Sequence, residues 1–104
     1  MDQQQRQWIL ALEEEWSEPH GFLFTIRQGS FAAPKAESLL KKLEDIKAGG
    51  KQALELRLVS LVWYLPIFLS WQKGRILEAG GDVVAYDRLT NRIQGMVEAI
   101  LGVP

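Results

Sequence analysis

The chain has 104 residues, of which 47% are hydrophobic and 24% charged, and its formal net charge is -1. This length and composition are typical of one folded domain, here residues 1–104, and argue against long disorder. The absence of cysteine excludes disulfides, thiolate nucleophiles and cysteine metal sites. The near-neutral charge disfavours a nucleic-acid binder, because each phosphate contact needs a cation.

The charges are unevenly distributed along the chain. Residues 1–18 carry five acidic groups and one basic group, residues 19–75 carry nine basic and four acidic groups, and residues 76–104 carry four acidic and two basic groups. We expect the acidic ends to pack beside the basic middle, so that their fields largely cancel. The start, MDQQQRQW, lacks the basic and apolar regions of a secretory signal, and neither end has a lipidation motif. These features predict a cytoplasmic location.

The first predicted helix covers residues 2–17, with Asp2 as its N-cap and Pro19 explaining its end. Its apolar stripe is formed by Trp8, Ile9, Leu12 and Trp16.

The segment from Gly21 to Gly29 is ambiguous. Phe22, Leu23 and Ile26 would share a face in a helix, whereas Phe22, Phe24 and Ile26 would share a face in a strand. Since no other strand candidate is present to pair with it, we predict a short helix that Gly29 ends.

Residues 31–48 have the pattern of an amphipathic helix, capped by Ser30 or Ala33 and ended by Gly49-Gly50. The stripe consists of Ala36, Leu39, Leu40, Leu43 and Ile46.

Residues 58–71, LVSLVWYLPIFLSW, form the most apolar run. The fifteen positions between Arg57 and Lys73 would reach only about 22 Å as a helix, too short for a bilayer core of roughly 30 Å. We predict a long, buried helix from residue 51 to about 73, bent near Pro66. Its polar side is narrow, formed by Arg57, Ser60 and Tyr64, with Trp71 seven positions later.

Gly74 and then Gly80-Gly81 are predicted to break the chain before the last helix, which Asp82 caps. Gly95 lies opposite the core stripe of that helix and either admits a close neighbour or is tolerated. The stripe is formed by Ala85, Tyr86, Leu89, Ile93, Met96, Val97 and Ile100. Together these elements predict an all-α fold, a compact single-domain bundle of four to five helices around a central Pro-bent apolar helix.

No catalytic, cofactor or metal site is predicted. His20 is the single histidine and lies in a turn, and no serine lies in a G-x-S-x-G pattern. Glu13, Glu14 and Glu15 are consecutive and would spread over about 200° of a helix, so they cannot converge on one ion. The four tryptophans form two pairs, each eight residues apart, which we interpret as structural anchors in preference to a stacking platform for bases or sugars.

Three classes of function remain. The favoured one is a cytosolic protein-binding protein without catalytic activity, an immunity-type inhibitor or adaptor that docks on a toxin or enzyme. Neither nucleic acid nor membrane is an expected partner. A homo-oligomer is compatible with an exposed apolar face. The second is a small-molecule-binding module with a pocket around Pro66, lined by Trp63, Tyr64, Phe68 and Trp71. The third is an enzyme with carboxylate chemistry. The predicted partner-binding residues lie off the core stripes: Leu10, Glu13, Glu14, Phe24, Arg27, Lys41 and Lys42.

Overall fold

The structure is a computed structural model that describes residues 2–50 and 52–104. Over these residues it contains helices and no strand, so the predicted all-α bundle is confirmed. The elements are α1 (Gln3–Glu14), α2 (Phe22–Arg27), a 3₁₀ turn (Ala33–Lys35), α3 (Ala36–Ala48), α4 (Leu56–Trp63), α5 (Leu65–Glu78) and α6 (Val83–Leu101).

Helix α6 packs against α3, α4 and α5, while α1 packs against α3 and α4 and α2 packs against α5. The predicted stripes supply the core, because a helix with an apolar face gains free energy by burying that face against its neighbours. All five stripe residues of α3 are buried, as are Trp8, Ile9 and Leu12 of α1.

Helix α1 begins as predicted and ends earlier. The Asp2 carboxylate accepts a hydrogen bond from the Gln4 N–H at 2.8 Å, which confirms it as the N-cap. The helix stops at Glu14 because the Glu15 carbonyl accepts hydrogen bonds from the N–H groups of Leu23 and Phe24, at 2.8 and 3.2 Å, and so lies beside the start of α2.

The ambiguous segment is the short helix α2, and the alternative strand is wrong. The residues expected to share a helical face, Phe22, Leu23 and Ile26, are all buried. Gly29 has φ +86°, the left-handed conformation that ends a helix and that glycine adopts most readily.

Neither predicted N-cap of α3 makes a side-chain capping bond. The helix starts instead through the 3₁₀ turn, in which Pro34 follows Ala33 and needs no hydrogen bond from a backbone N–H. At the other end, the Trp8 indole occupies the position where a Cβ of residue 49 would lie, so only glycine fits there.

The prediction of one long helix through the apolar run is wrong in its continuity and length. The run forms two helices that meet at Tyr64, with Pro66 near the start of α5, where its missing N–H is tolerated. Helix α4 begins at Leu56, and Lys51, the predicted first residue, lies outside the described part of the chain. Gly74 does not break α5, because the buried side chains of Leu65, Phe68, Leu69 and Ile76 hold it as a helix.

Helix α6 follows its prediction. The Asp82 carboxylate accepts a hydrogen bond from the Ala85 N–H at 3.0 Å. The Tyr86 hydroxyl donates to the Leu69 carbonyl at 2.7 Å, and burial, with a smaller contribution from Asp87, raises the pKa of this phenol well above its usual value. A Cβ at Gly95 would meet no atom within 4 Å, so this glycine is tolerated and admits no close neighbour.

The connection between α3 and α4 is fastened by Gln5, a buried residue of α1. Its amide donates to the Gln52 side chain at 3.2 Å and to the Ala53 carbonyl at 2.8 Å, and its oxygen accepts from the Glu55 N–H at 2.9 Å. One side chain thus satisfies backbone groups that no helix pairs.

The expected pairing of acidic ends with the basic middle is confirmed. Among residues 2–50 and 52–104 the ion pairs are Glu13–Arg57 at 2.9 Å, Glu14–Lys42 at 3.5 Å, Glu15–Lys42 at 2.8 Å and Asp87–Lys73 at 3.1 Å. Each joins a residue of 1–18 or 76–104 to one of 19–75.

The close packing of the turn between α1 and α2 predicts that the stability of the protein depends strongly on Gly21. A Cβ at this position would lie 2.5 Å from the Glu15 carbonyl oxygen. Gly21→Ala should therefore lower the free energy of unfolding by about 1–3 kcal/mol in urea titrations. The control is Gly74→Ala, which meets nothing within 4 Å and should raise it by roughly 0.5–1 kcal/mol. Equal effects of the two changes would contradict the described turn.

Candidate functional site

Five aromatic rings form one connected group on the α1–α4–α5 side of the molecule, which we call the aromatic cluster. Trp16 packs edge-to-face on Phe68, with ring centroids 4.7 Å apart, and Phe68 lies 6.4 Å from Tyr64. Tyr64 in turn contacts Trp63 at 5.9 Å and Trp71 at 6.3 Å. Each ring therefore has an aromatic neighbour, at separations where such pairs attract.

The helix break at Tyr64 places this residue at the centre of the cluster. Trp63 is the last residue of α4, and Trp71 lies about two turns into α5. Phe68 is buried and Tyr64 half-buried, so the cluster has a base in the core and an outer layer toward solvent.

The outer layer consists of Trp63 and Trp71, whose side chains are 48% and 71% exposed. The prediction that this whole run is buried is therefore wrong for both tryptophans. Trp8, by contrast, is 8% exposed and is a core anchor, as predicted. The sequence contained a signal for the exposure, because Tyr64 and Trp71 fall on the narrow polar side that begins with Arg57 and Ser60.

Arg27, at the end of α2, adds a cation to the cluster. Its guanidinium carbon lies 5.3 Å from the centre of the Trp16 ring and 5.5 Å from that of Phe68, within the range of cation–π attraction. The side chain remains exposed, so its N–H groups are accessible to a ligand. Arg27 is thus the predicted partner-binding residue that the structure places directly against the cluster.

A cleft of about 370 Å³ borders the cluster between α1 and α4. The ion pair of Glu13 and Arg57, at 2.9 Å, lies along it. The lining residues are Glu13, Trp16, Arg57, Ser60, Leu61 and Tyr64. Of the four residues predicted to line a ligand pocket around Pro66, this cleft contains Tyr64 alone, while Pro66 itself is buried.

The other predicted partner-binding residues are dispersed. Leu10 on α1 is 53% exposed, Glu14 is exposed and lies on the edge of α1, and Phe24 is half-buried in α2. Lys41 is exposed on α3. The structure brings only Glu13 and Arg27 to the aromatic cluster and its cleft.

Lys42 has a structural task that the sequence did not reveal. Its amine donates to the Glu15 carboxylate at 2.8 Å and to the Ala11 carbonyl at 2.9 Å. Glu15 is 4% exposed, and its carboxylate also accepts from the Ser38 hydroxyl at 2.9 Å and from the Phe22 N–H at 3.3 Å. A buried carboxylate with these donors is satisfied, so Lys42 is committed to the fold.

The aromatic cluster offers rings, apolar surface and the charge of Arg27 to a binding partner. The acidic residues and His20 that the structure describes do not add a metal site to it. Among the described residues, no three histidine or acidic side chains gather where they could hold a metal ion. The Glu13 carboxylate pairs with Arg57, whereas Glu14 and Glu15 both pair with Lys42, Glu14 from the exposed surface and Glu15 from a buried position. His20 is exposed in its turn, as predicted.

Comparisons of the chain with protein-family models, with curated proteins and with solved structures gave no match. Within residues 2–50 and 52–104, the helices are all too short or too polar to cross a membrane.

The different environments of the tryptophans predict selective quenching. Acrylamide should reach Trp63 and Trp71 in the folded protein, because both are open to solvent, and should be excluded from Trp8. We expect Trp71→Phe to remove readily quenched emission and Trp8→Phe to remove protected emission. If Trp71→Phe left the quenched fraction unchanged, the exposed layer of the cluster would be wrong.

The Glu15 contacts predict that Lys42 supports stability. Lys42→Ala leaves a buried carboxylate without its cation and should cost about 2–3 kcal/mol in chemical unfolding, less than a fully buried pair because the lysine is 21% exposed. The matched control is Lys41→Ala, because Lys41 is the exposed neighbour of Lys42. This replacement should change the free energy of unfolding by less than about 0.5 kcal/mol. If Lys42→Ala unfolded with the same free energy as the wild type, the structural role of Lys42 would be contradicted.

Proposed function

We propose that this chain is a non-catalytic protein-binding protein that docks on its partner through the aromatic cluster. The observation that carries the proposal is the exposure of Trp63, in the middle of the apolar run 58–71, and of Trp71, at its end. Tryptophan, tyrosine and arginine are the residues that dominate binding energy at protein interfaces. Here these three residue types stand together on one side of the fold.

The packing of the rings against one another supports this function. Trp63 and Trp71 both rest against Tyr64, which is joined through Phe68 to the core. Side chains that are already held in place lose little rotamer freedom on binding, so more of their apolar contact energy contributes to affinity. An isolated exposed leucine such as Leu77 has no comparable aromatic support.

The shape of the surface favours a protein over a small molecule. Small ligands usually bind in concave sites that enclose most of their surface. The two outer indoles stand exposed on the surface, and the adjoining cleft is bordered by the Glu13–Arg57 ion pair. A partner protein with a complementary recess would cover both indoles at once.

The specific form that we propose is an immunity-type inhibitor or an adaptor. Such a protein needs a stable scaffold and a contact surface, and it blocks or recruits a toxin or enzyme by covering part of it. Within this proposal Arg27 and Glu13 join the aromatic cluster as contact residues, with Leu10, Glu14, Phe24 and Lys41 outside its centre.

The test is co-purification from cells of the source organism with wild-type protein and a Trp63→Ala/Trp71→Ala double variant. We expect one protein to bind the wild type stoichiometrically, to be lost with the double variant, and to bind again when both purified proteins are mixed. Circular dichroism should show that the double variant remains folded.

Leu77→Ala is the matched control. Leu77 is 63% exposed and lies on the same helix as Trp71, about 120° around its axis. The partner should bind this variant as it binds the wild type. Retention of the partner by the double tryptophan variant would contradict the proposed docking surface.

A further inference from the structure

Helices α2, α4 and α5 carry Arg27, Trp63, Phe68 and Trp71, and they have an excess of basic side chains. Together α2, α4 and α5 contain four cations and the single acid Glu78, which gives +3 in a chain whose formal charge is -1. The cations are Arg27, Arg57, Lys73 and Arg75.

Two of these four cations are neutralised within the protein. Arg57 pairs with Glu13, and Lys73 pairs with Asp87. Arg27 and Arg75 have no carboxylate within ion-pair distance among residues 2–50 and 52–104. Glu78 also has no ion pair among the described residues, so the open charge on these three helices is two cations and one acid, a net +1.

The two open arginines lie where the end of α2 meets α5, the helix that also carries Trp71. Arg75 follows Trp71 by four residues, so the two side chains leave the same side of α5. A Cβ at Gly29, two residues after Arg27, would lie 3.9 Å from the Arg75 Cβ, which places the end of α2 against this part of α5.

Cation–π contacts hold Arg27 in place and leave it without an ion pair among the described residues. The guanidinium carbon lies 5.3 Å from the centre of the Trp16 ring and 5.5 Å from the centre of the Phe68 ring. The Arg27 side chain remains exposed, and the N–H groups of a guanidinium can bind both oxygens of a carboxylate. Arg27 is thus held in place with donors for an acidic group.

We propose that the aromatic cluster binds a protein segment that presents carboxylates beside apolar side chains, with Arg27 and Arg75 binding the carboxylates. This inference rests on the proposed docking function and adds the chemistry of the partner. The apolar side chains would cover the indoles of Trp63 and Trp71, and the acidic groups would fix the orientation of the segment and raise its association rate.

The charge also distinguishes this partner from other occupants. In a symmetric dimer the same patch meets itself, so the net positive charges of the two copies would repel. Single-stranded nucleic acid would offer many phosphates to only two open cations, on a chain with net negative charge. A membrane-surface helix needs a broad cationic face, whereas α5 carries only Lys73 and Arg75.

The experiment uses three designed helical peptides with the same leucine and phenylalanine face and with glutamate, glutamine or lysine at the flanking positions. Each is titrated into the full chain by calorimetry. We expect the glutamate peptide to bind roughly tenfold more tightly than the glutamine peptide at low salt, and this advantage to shrink as salt is raised.

Two variants assign the effect to the residues. Arg27→Gln/Arg75→Gln should remove the preference for the glutamate peptide and leave the affinity for the glutamine peptide unchanged, whereas Trp71→Ala should weaken both. Arg92→Gln is the matched control, because Arg92 is an exposed cation on α6. It should keep the preference of the wild type.

Equal affinity for the glutamate and glutamine peptides would overturn the acidic partner and leave the proposed docking function standing, since that function is tested by co-purification. If none of the three peptides binds, the proposal of an acidic partner segment is likewise overturned. Tighter binding of an oligothymidine, or of vesicles made from equal parts phosphatidylcholine and phosphatidylglycerol, with loss in Arg27→Gln/Arg75→Gln, would replace the acidic segment by a phosphate ligand. A protein that dimerises through this face at micromolar concentration in sedimentation would contradict the charge argument.

Discussion

The buried carboxylate of Glu15 constrains how the first three helices meet. A charge that is 4% exposed must be compensated by donors, and Glu15 finds them in Lys42 and Ser38 of α3 and in the Phe22 N–H at the start of α2. Its carbonyl also receives two N–H groups of α2. Because these bonds seat α2 against the end of α1, Arg27 at the far end of α2 reaches the rings of Trp16 and Phe68. The position of Arg27 in the aromatic cluster thus depends on the Glu15–Lys42 ion pair, which lies beside the opposite end of α2.

Periodicity predicted the regular part of this fold because α1, α3 and α6 each bury one face and expose the other. The stripe of α3, the cap at Asp82 and the apolar face of α6 could be derived from local spacing alone. The Glu15–Lys42 pair could not, since the two residues are 27 apart in the chain and nothing local distinguishes Lys42 from the exposed Lys41. For the same reason the sequence assigned Lys42 to a partner surface.

The apolar run shows a different limit. In a segment where almost every side chain is hydrophobic, composition indicates burial but no longer identifies which residues remain outside. The narrow polar side that starts at Arg57 includes Trp71, but nothing local distinguishes the exposed Trp63 from the buried Trp8. The candidate site therefore combines Trp16, which the sequence placed on a core stripe, Tyr64 and Trp71, which it placed on the narrow polar side, and Arg27 and Glu13, which it placed on the surface.

The attachment of Gln5 has a consequence for degradation. Residues 52–55, between α3 and α4, lie outside any helix, and the Ala53 carbonyl and Glu55 N–H are held by one glutamine about fifty positions earlier in the chain. Proteolytic trimming through the first turn of α1 would therefore release a connection in the middle of the sequence. Damage that begins near one terminus would open a second cleavage region far away, and the two losses would occur together.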